Sequence, residues 1–166
     1  VPSREIRKRV RDSLGRLGVG RYAKKSPNTL SGGEKMRVTI AGILAMKPES
    51  LILDEPTAML DPEGRESVME AVLRLNGEEH TTVVLVTHFM EEAALADRII
   101  VMNKGRIVSD GTPEEIFSDV KGLRALGLSL PPAAEIAQEL RDGGMPLPEG
   151  IYRESDLAAS IRKIWN

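Results

Sequence analysis

Two short apolar runs, "SLILDEP" at 50–56 and "TTVVLVTH" at 81–88, constrain the fold of this 166-residue chain more than any other feature. The second is nearly continuous in valine, leucine and threonine, the pattern of a strand buried on both faces of a parallel sheet. The first reads as a short buried strand with carboxylates at its carboxyl end. Between them, "LDPEGRESVMEAVLRLNG" places Asp61 at a helix cap, Pro62 at the first helical position and Gly77 just past the helix end. Strand, helix and strand in that order indicate an α/β layer. A further helix, about 89–97, leads to "RIIVMNKGRIVSDG", which reads as two strands joined by a tight turn at Lys104-Gly105.

Upstream, Ile6, Val10, Leu14 and Leu17 recur at helical spacing, so residues 3–17 read as an amphipathic helix capped by Ser3, its charged side a solvated face. A loop leads to a second helix over 32–46, which stops before Pro48. Downstream, Thr112, Pro113 and Glu115 form a capping box at a helix start. Beyond it, glycines and prolines punctuate short helical pieces, in which Ile136, Leu140, Ile161 and Trp165 either dock on a second copy or pack on the core. The expected organisation is a helical part over 1–46, a strand-bearing core over 47–118 and a small helical tail domain over 119–166.

Composition bears on partners. With 23 basic and 25 acidic residues the net charge is −2, which gives no global attraction to nucleic acid, and none is expected as a partner. The absence of cysteine excludes a disulfide framework and a thiolate zinc site. No apolar run approaches the roughly 18 residues that cross a bilayer, so a membrane would be served from its side. The first residue is Val1, at the head of a periodic run, from which a processed or excised piece is expected.

"LSGGEKMR" at 30–37 sets two glycines at a helix start, although each glycine inside a helix is worth roughly 1 kcal/mol less than alanine. Ser31-Gly32-Gly33-Glu34 fits S-x-x-E, a capping box that needs no further function. The glycine pair is left over: it strips side chains from the positive end of a helix and frees amides to face an anion, for which phosphate is the natural candidate. In "LILDEP", Asp54 and Glu55 are either the polar end of a strand or the ligand-facing end of an α/β sheet. There an aspartate can hold Mg2+ and its neighbour can orient a water. His88 ends the second run in the same topological place, whereas His80, in "NGEEHTT", reads as surface.

Taken in order, "LSGGE", "LILDEPTAMLDP" and "VVLVTH" closely resemble the ATP-binding cassette ATPases. The resemblance implies a P-loop NTPase-type α/β sheet with flanking helices, here incomplete, plus a small helical C-terminal domain. It implies that Leu30 to Glu34 are the signature motif, with Ser31, Gly32, Gly33 and Glu34 meeting the γ-phosphate of an ATP held by the opposite subunit. Asp54 becomes the magnesium aspartate of Walker B, Glu55 the general base and His88 the switch histidine that senses the γ-phosphate. Ala58 to Asp61 match the D-loop, which puts Asp61 among the nucleotide-binding residues. On the same basis Gly33 admits the phosphate, and a bulky replacement is expected to abolish turnover while leaving each protomer folded. Family members often carry glutamine where Glu34 stands; its carboxylate either folds back onto the Ser31 amide or faces ATP.

"GTPEEIF", "LGLSLPP" and "PLPEG" are similar to the ATPase subunits of energy-coupling factor importers, which include cobalt, nickel and vitamin systems. This implies ATP and Mg2+ as cofactors, a second ATPase subunit in a homo- or heterodimer, and a peripheral place on the cytoplasmic face of the cell membrane. It also implies a transmembrane coupling subunit and a substrate-binding membrane subunit. The phosphate-loop pattern GxxxxGK[ST] does not occur, for the chain has no Gly-Lys pair. The expectation is therefore a truncated chain, inactive alone, with unpaired strand edges between the "VVLVTH" and "RIIVM" strands. The rival expectation is a non-catalytic interaction module that completes a partner ATPase site in trans. A cassette ATPase of DNA repair is disfavoured by the short spacing after the signature and the lack of cysteine.

Overall fold

The computed structural model describes residues 1–165 and divides into two compact units, Val1–Val86 and Thr87–Asn166. In the first unit, helix α1 spans Ser3–Arg16, α2 Gly32–Leu44 and α3 Pro62–Glu79. Strand β1 covers Ser50–Asp54 and β2 covers Thr82–Val86. The two strands pair in parallel, from Ser50 opposite Thr82 to Asp54 opposite Val86. α3 is the crossover between them, as parallel pairing requires.

One face of this strand pair is a core. Leu51 and Leu53 alternate inward and pack with Ile40 and Leu44 of α2 and with Val68, Val72 and Leu75 of α3. The other face is open: Ile52 is 71% exposed, Val84 47% and Val86 48%. The reading of β2 as buried on both faces is thus corrected. Its apolar residues do alternate across two faces, but α2 and α3 cover only one of them.

The contact between α2 and α3 is unusually close at its head. A Cβ on Gly33 would lie 2.9 Å from the Gly64 Cα and 3.2 Å from its carbonyl oxygen, and one on Gly32 would lie 2.7 Å from a Leu60 methyl. Backbone meets backbone here, which only glycine permits.

Two helix ends differ from expectation. Ser3 is the first residue of α1 rather than its cap. Pro2 holds the cap position without a side-chain bond, its carbonyl accepting the Glu5 and Ile6 amides at 2.9 and 3.1 Å. α3 runs through Gly77 and closes on His80, which takes the left-handed conformation at φ 53°. The His80 amide donates to the Asn76 carbonyl at 3.1 Å and the Thr81 amide to that of Leu75 at 3.4 Å, so carbonyls of the last turns are satisfied as the chain leaves the helix. One interior glycine thus does not stop the helix, since the left-handed closure falls on His80 instead.

In the second unit, α4 is only Met90–Ala93, shorter than expected, because the chain after it tightens into turns: the Leu95 amide reaches Glu92 and the Ala96 amide reaches Ala93. β3, Ile99–Asn103, and β4, Arg106–Gly111, form an antiparallel hairpin. Its turn residues Lys104 and Gly105 sit at φ 48° and 75°, the left-handed pair that matches strand twist. Among the described residues the four strands thus form two separate pairs.

Helices α5, Pro113–Ser118, α6, Val120–Ala125, α7, Pro132–Asp142, and α8, Glu154–Trp165, complete the unit. α5 begins with the expected capping box, the Glu115 amide donating to Thr112 Oγ1 at 3.3 Å and the Thr112 amide to Glu115 Oε2 at 2.8 Å. Leu140 and Ile161 join a core around Ala137, Leu147, Ile151 and Leu157, whereas Ile136 and Trp165 are exposed. Among the described residues no helix is long and apolar enough to cross a membrane.

The head-to-head glycines separate two substitutions on one helix. Gly33→Ala should lower the unfolding free energy of the intact protein by about 1–3 kcal/mol, because the helices must part. Gly42→Ala, on the same helix with nothing within 4 Å of its added methyl, should raise it by about 0.4–1 kcal/mol. Urea denaturation of both variants checks the contrast.

Candidate functional site

Ser31, in extended conformation with ψ 168°, caps α2. Its Oγ accepts the Glu34 amide at 3.2 Å, and Glu34 Oε2 accepts the Ser31 amide at 2.9 Å. Both halves of the capping box are therefore made. The second carboxylate oxygen, Oε1, accepts the Tyr22 hydroxyl proton. Of the two dispositions open to Glu34, the carboxylate takes the one that folds back.

That carboxyl is held below its ordinary value of 4.5, first by the Tyr22 hydroxyl and then by the Ser31 amide; burial opposes them, and the charges of Arg21 and Lys25 add smaller contributions in the lowering direction. Among the described residues no acceptor stands on the Gly32 or Gly33 amides. Two unbonded donors therefore stand at the positive end of α2, that of Gly32 on an exposed residue and that of Gly33 on one buried against Gly64.

Gly33 serves the packing as well. Its contact with Gly64 corrects the expectation that a bulky residue there leaves each protomer folded: any side chain would drive α2 from α3.

The same contact brings the loop before α3 beside the start of α2. Leu60 lies against Gly32, and Asp61 caps α3, its Oδ1 accepting the Gly64 amide at 2.9 Å. Ser31, Gly32, Gly33, Glu34 and Asp61 thus belong to one neighbourhood; Met59, whose carbonyl oxygen would lie 3.9 Å from a Cβ on Gly32, is 97% exposed.

At the carboxyl end of β1, Asp54 and Glu55 are both exposed. Glu55 sits at φ 44°, a left-handed conformation that costs a non-glycine residue about 1–3 kcal/mol and gathers at functional sites. Its amide still donates to the Val86 carbonyl at 2.8 Å, so the backbone turns only after one more ladder bond. Among the described residues no three or more histidine, cysteine, aspartate or glutamate side chains gather as a metal site. One or two strand-end carboxylates suit Mg2+, which keeps its waters and binds chiefly through phosphate.

His88 belongs to the second unit, exposed, with its ring 4.2 Å from that of Phe89. The turn that carries it is pinned from below. Thr87 Oγ1 donates to Glu92 Oε2 at 2.7 Å and accepts the Phe89 amide at 3.0 Å, and Glu92 is 2% exposed.

Tyr22, Gly64 and Glu92 were not singled out in the sequence. Tyr22 could have been noticed as the one aromatic in the polar stretch "GVGRYAKK", and Gly64 as a second glycine in a first helical turn. Glu92 carries no such mark.

Residues 3–58 match the family model of the ABC transporter domain. Over its whole length the chain is 49% identical to the energy-coupling factor transporter ATP-binding protein EcfA1 of Symbiobacterium thermophilum. Over 97% of its length it is 52% identical to the EcfA1 of Caldanaerobacter subterraneus subsp. tengcongensis. It covers 58% of each, so the chain spans little more than half the length of these curated relatives.

Among solved structures it is similar to cbiO1 of Clostridium perfringens, described as part of the ABC transporter complex cbiONQ. The TM-score is 0.68 at 37% identity over 85% of this chain and 55% of that one. It is also similar to the dimeric, post-hydrolysis cassette MJ0796 bound to ADP and Pi, with a TM-score of 0.57 at 36% identity over 68% of this chain and 49% of that one. The α/β class of P-loop NTPase type expected from the sequence is borne out.

Two measurements follow from the cap. Ser31→Ala should cost about 1 kcal/mol of stability, read by denaturation. Because the Glu34 carboxyl is depressed on folding, its contribution is complete above the ordinary carboxyl range and fades as pH falls through the folded value. Glu34→Gln should flatten that part of the acid limb in a series of denaturation curves.

Proposed function

We propose, for a chain that belongs to the ATP-binding cassette family of transporter ATPases, that it works as part of an ATPase coupling ATP hydrolysis to uptake of a metal ion or vitamin through an energy-coupling factor importer. The observation that carries this reading is the head of α2. Two glycine amides without acceptors stand beside a fully made cap, locked by a backbone contact to the start of α3.

Ser31 and the Gly32 and Gly33 amides would hold the terminal phosphate of an ATP bound mainly to a second ATPase subunit. That second subunit is either a copy or a homologue, and the likeness to a dimeric cassette supports the pairing. Asp61 sets the loop that borders the same phosphate. Asp54 would hold Mg2+, which when bound offsets phosphate charge.

Glu55 takes the proton of the attacking water on its carboxylate, from a left-handed backbone position just past the end of β1. His88 donates a hydrogen bond to the γ-phosphate from the turn fixed by Thr87 and Glu92. Catalysis of this kind is positioning and charge stabilisation, with little covalent work for the protein. Association and release of the two ATPase subunits then pass through residues 3–46 to a transmembrane coupling subunit with its substrate-binding partner. The protein would work at the cytoplasmic face of the membrane.

The test is Glu55→Gln in the intact protein. ATP binding, followed by calorimetry, should survive, while kcat for hydrolysis falls by about 10²–10⁴. Undiminished hydrolysis would remove Glu55 from the role of base.

A further inference from the structure

The Glu34 carboxylate is an anomaly for a phosphate site: a full negative charge in the first turn of the helix whose amides are to meet an anion. Helix physics explains why it is tolerated, since an acid here is favoured by the helix dipole and completes the cap. It does not explain how a phosphate could approach.

The surroundings of Tyr22 supply that explanation. Tyr22 closes the short helical turn Gly20–Tyr22 and, 6% exposed as a residue, lies in the core of the first unit. The Arg21 guanidinium lies 4.7 Å and the Lys25 ammonium 5.2 Å from the ring centroid. A buried ring with two torsions places its hydroxyl at a fixed point, and that hydroxyl donates to Glu34 Oε1. The other oxygen is taken by the Ser31 amide at 2.9 Å. Both acceptor atoms are directed back along the cap, and the two cations flank the same patch.

We infer that Tyr22 is a positioning residue for the head of α2, holding the Glu34 carboxylate against the Ser31 amide so that its charge is turned from the Gly32 and Gly33 amides and a phosphate can reach them. The inference rests on the proposed reading of the α2 head as a nucleotide-phosphate site. Tyr22 touches no reacting atom; it acts through Glu34. Released from Tyr22, the carboxylate can swing outward and repel the incoming phosphate, so the cost of losing the hydroxyl depends on a carboxylate standing at position 34.

That dependence defines the experiment, a double-mutant cycle with Tyr22→Phe and Glu34→Gln in the intact protein, with ATP as the probe. Tyr22→Phe keeps the packed ring and removes one hydrogen bond, for which KM for ATP should rise about 2- to 10-fold. In the Glu34→Gln background, whatever activity that variant has, adding Tyr22→Phe should change KM less than twofold. An equal rise in both backgrounds would make Tyr22 a packing residue only and overturn the inference.

A second arm needs no nucleotide. The Glu34 carboxyl, followed by NMR titration, should move up toward the ordinary glutamate range in Tyr22→Phe, and an unmoved titration means that no such latch exists. If the unaltered protein with its partners neither binds nor hydrolyses ATP, the phosphate reading itself fails and the positioning role falls with it. The titration would still decide whether Tyr22 holds Glu34.

Discussion

The near-contact of Gly33 with Gly64 is the point on which the first unit turns. Two helices that meet through side chains stand 8–10 Å apart; here a single added methyl would sit within 3 Å of the opposing backbone. The closeness fixes where α2 begins relative to α3, and with it the placing of the cap, the Gly32 and Gly33 amides and the Asp61 turn. Further along the same helices, Ile40, Leu44, Val68 and Leu75 fill the space below with ordinary apolar packing on Leu51 and Leu53. Fold and candidate site are therefore not separable at this corner, because the residue that lets the helices touch also belongs to the first turn of α2, where the capping box is made.

What the sequence made legible was local. Both capping boxes, the Pro62 helix start, the two apolar strands and the Lys104-Gly105 turn are written in residues a few positions apart, and they appear where expected. What it concealed depends on partners distant along the chain. Gly33 announced a need for room without naming Gly64 as the neighbour, and Glu34 could not declare its direction without Tyr22. The helix stop at Gly77 failed because a histidine three residues further on takes the left-handed closing position. Apolarity on both faces of β2 was read correctly as composition, but cover on both faces does not follow from it.

The electrostatics of the cap unite several small effects into one arrangement. A carboxylate that would oppose an anion instead completes a helix end, bonded by one hydroxyl and one amide and flanked by Arg21 and Lys25. Each of these interactions is modest and exposed to solvent screening. Their common direction matters more than their strength, since together they choose which way the charge faces. On the second unit, Thr87 and Glu92 do comparable work beneath His88 through one short hydrogen bond and one amide contact.

Glu55 shows a different kind of choice. Asparagine and glycine are the residues most at ease with a positive φ, and either would relax the turn after β1. The chain instead keeps a longer acid in a backbone geometry that suits it poorly. Asparagine would bring no negative group and would stop a methylene short, and glycine would bring no side chain at all. On the proposed reading of Glu55 as the base, main-chain comfort gives way to reach, and a stabilising substitution and a working one are different residues at this position.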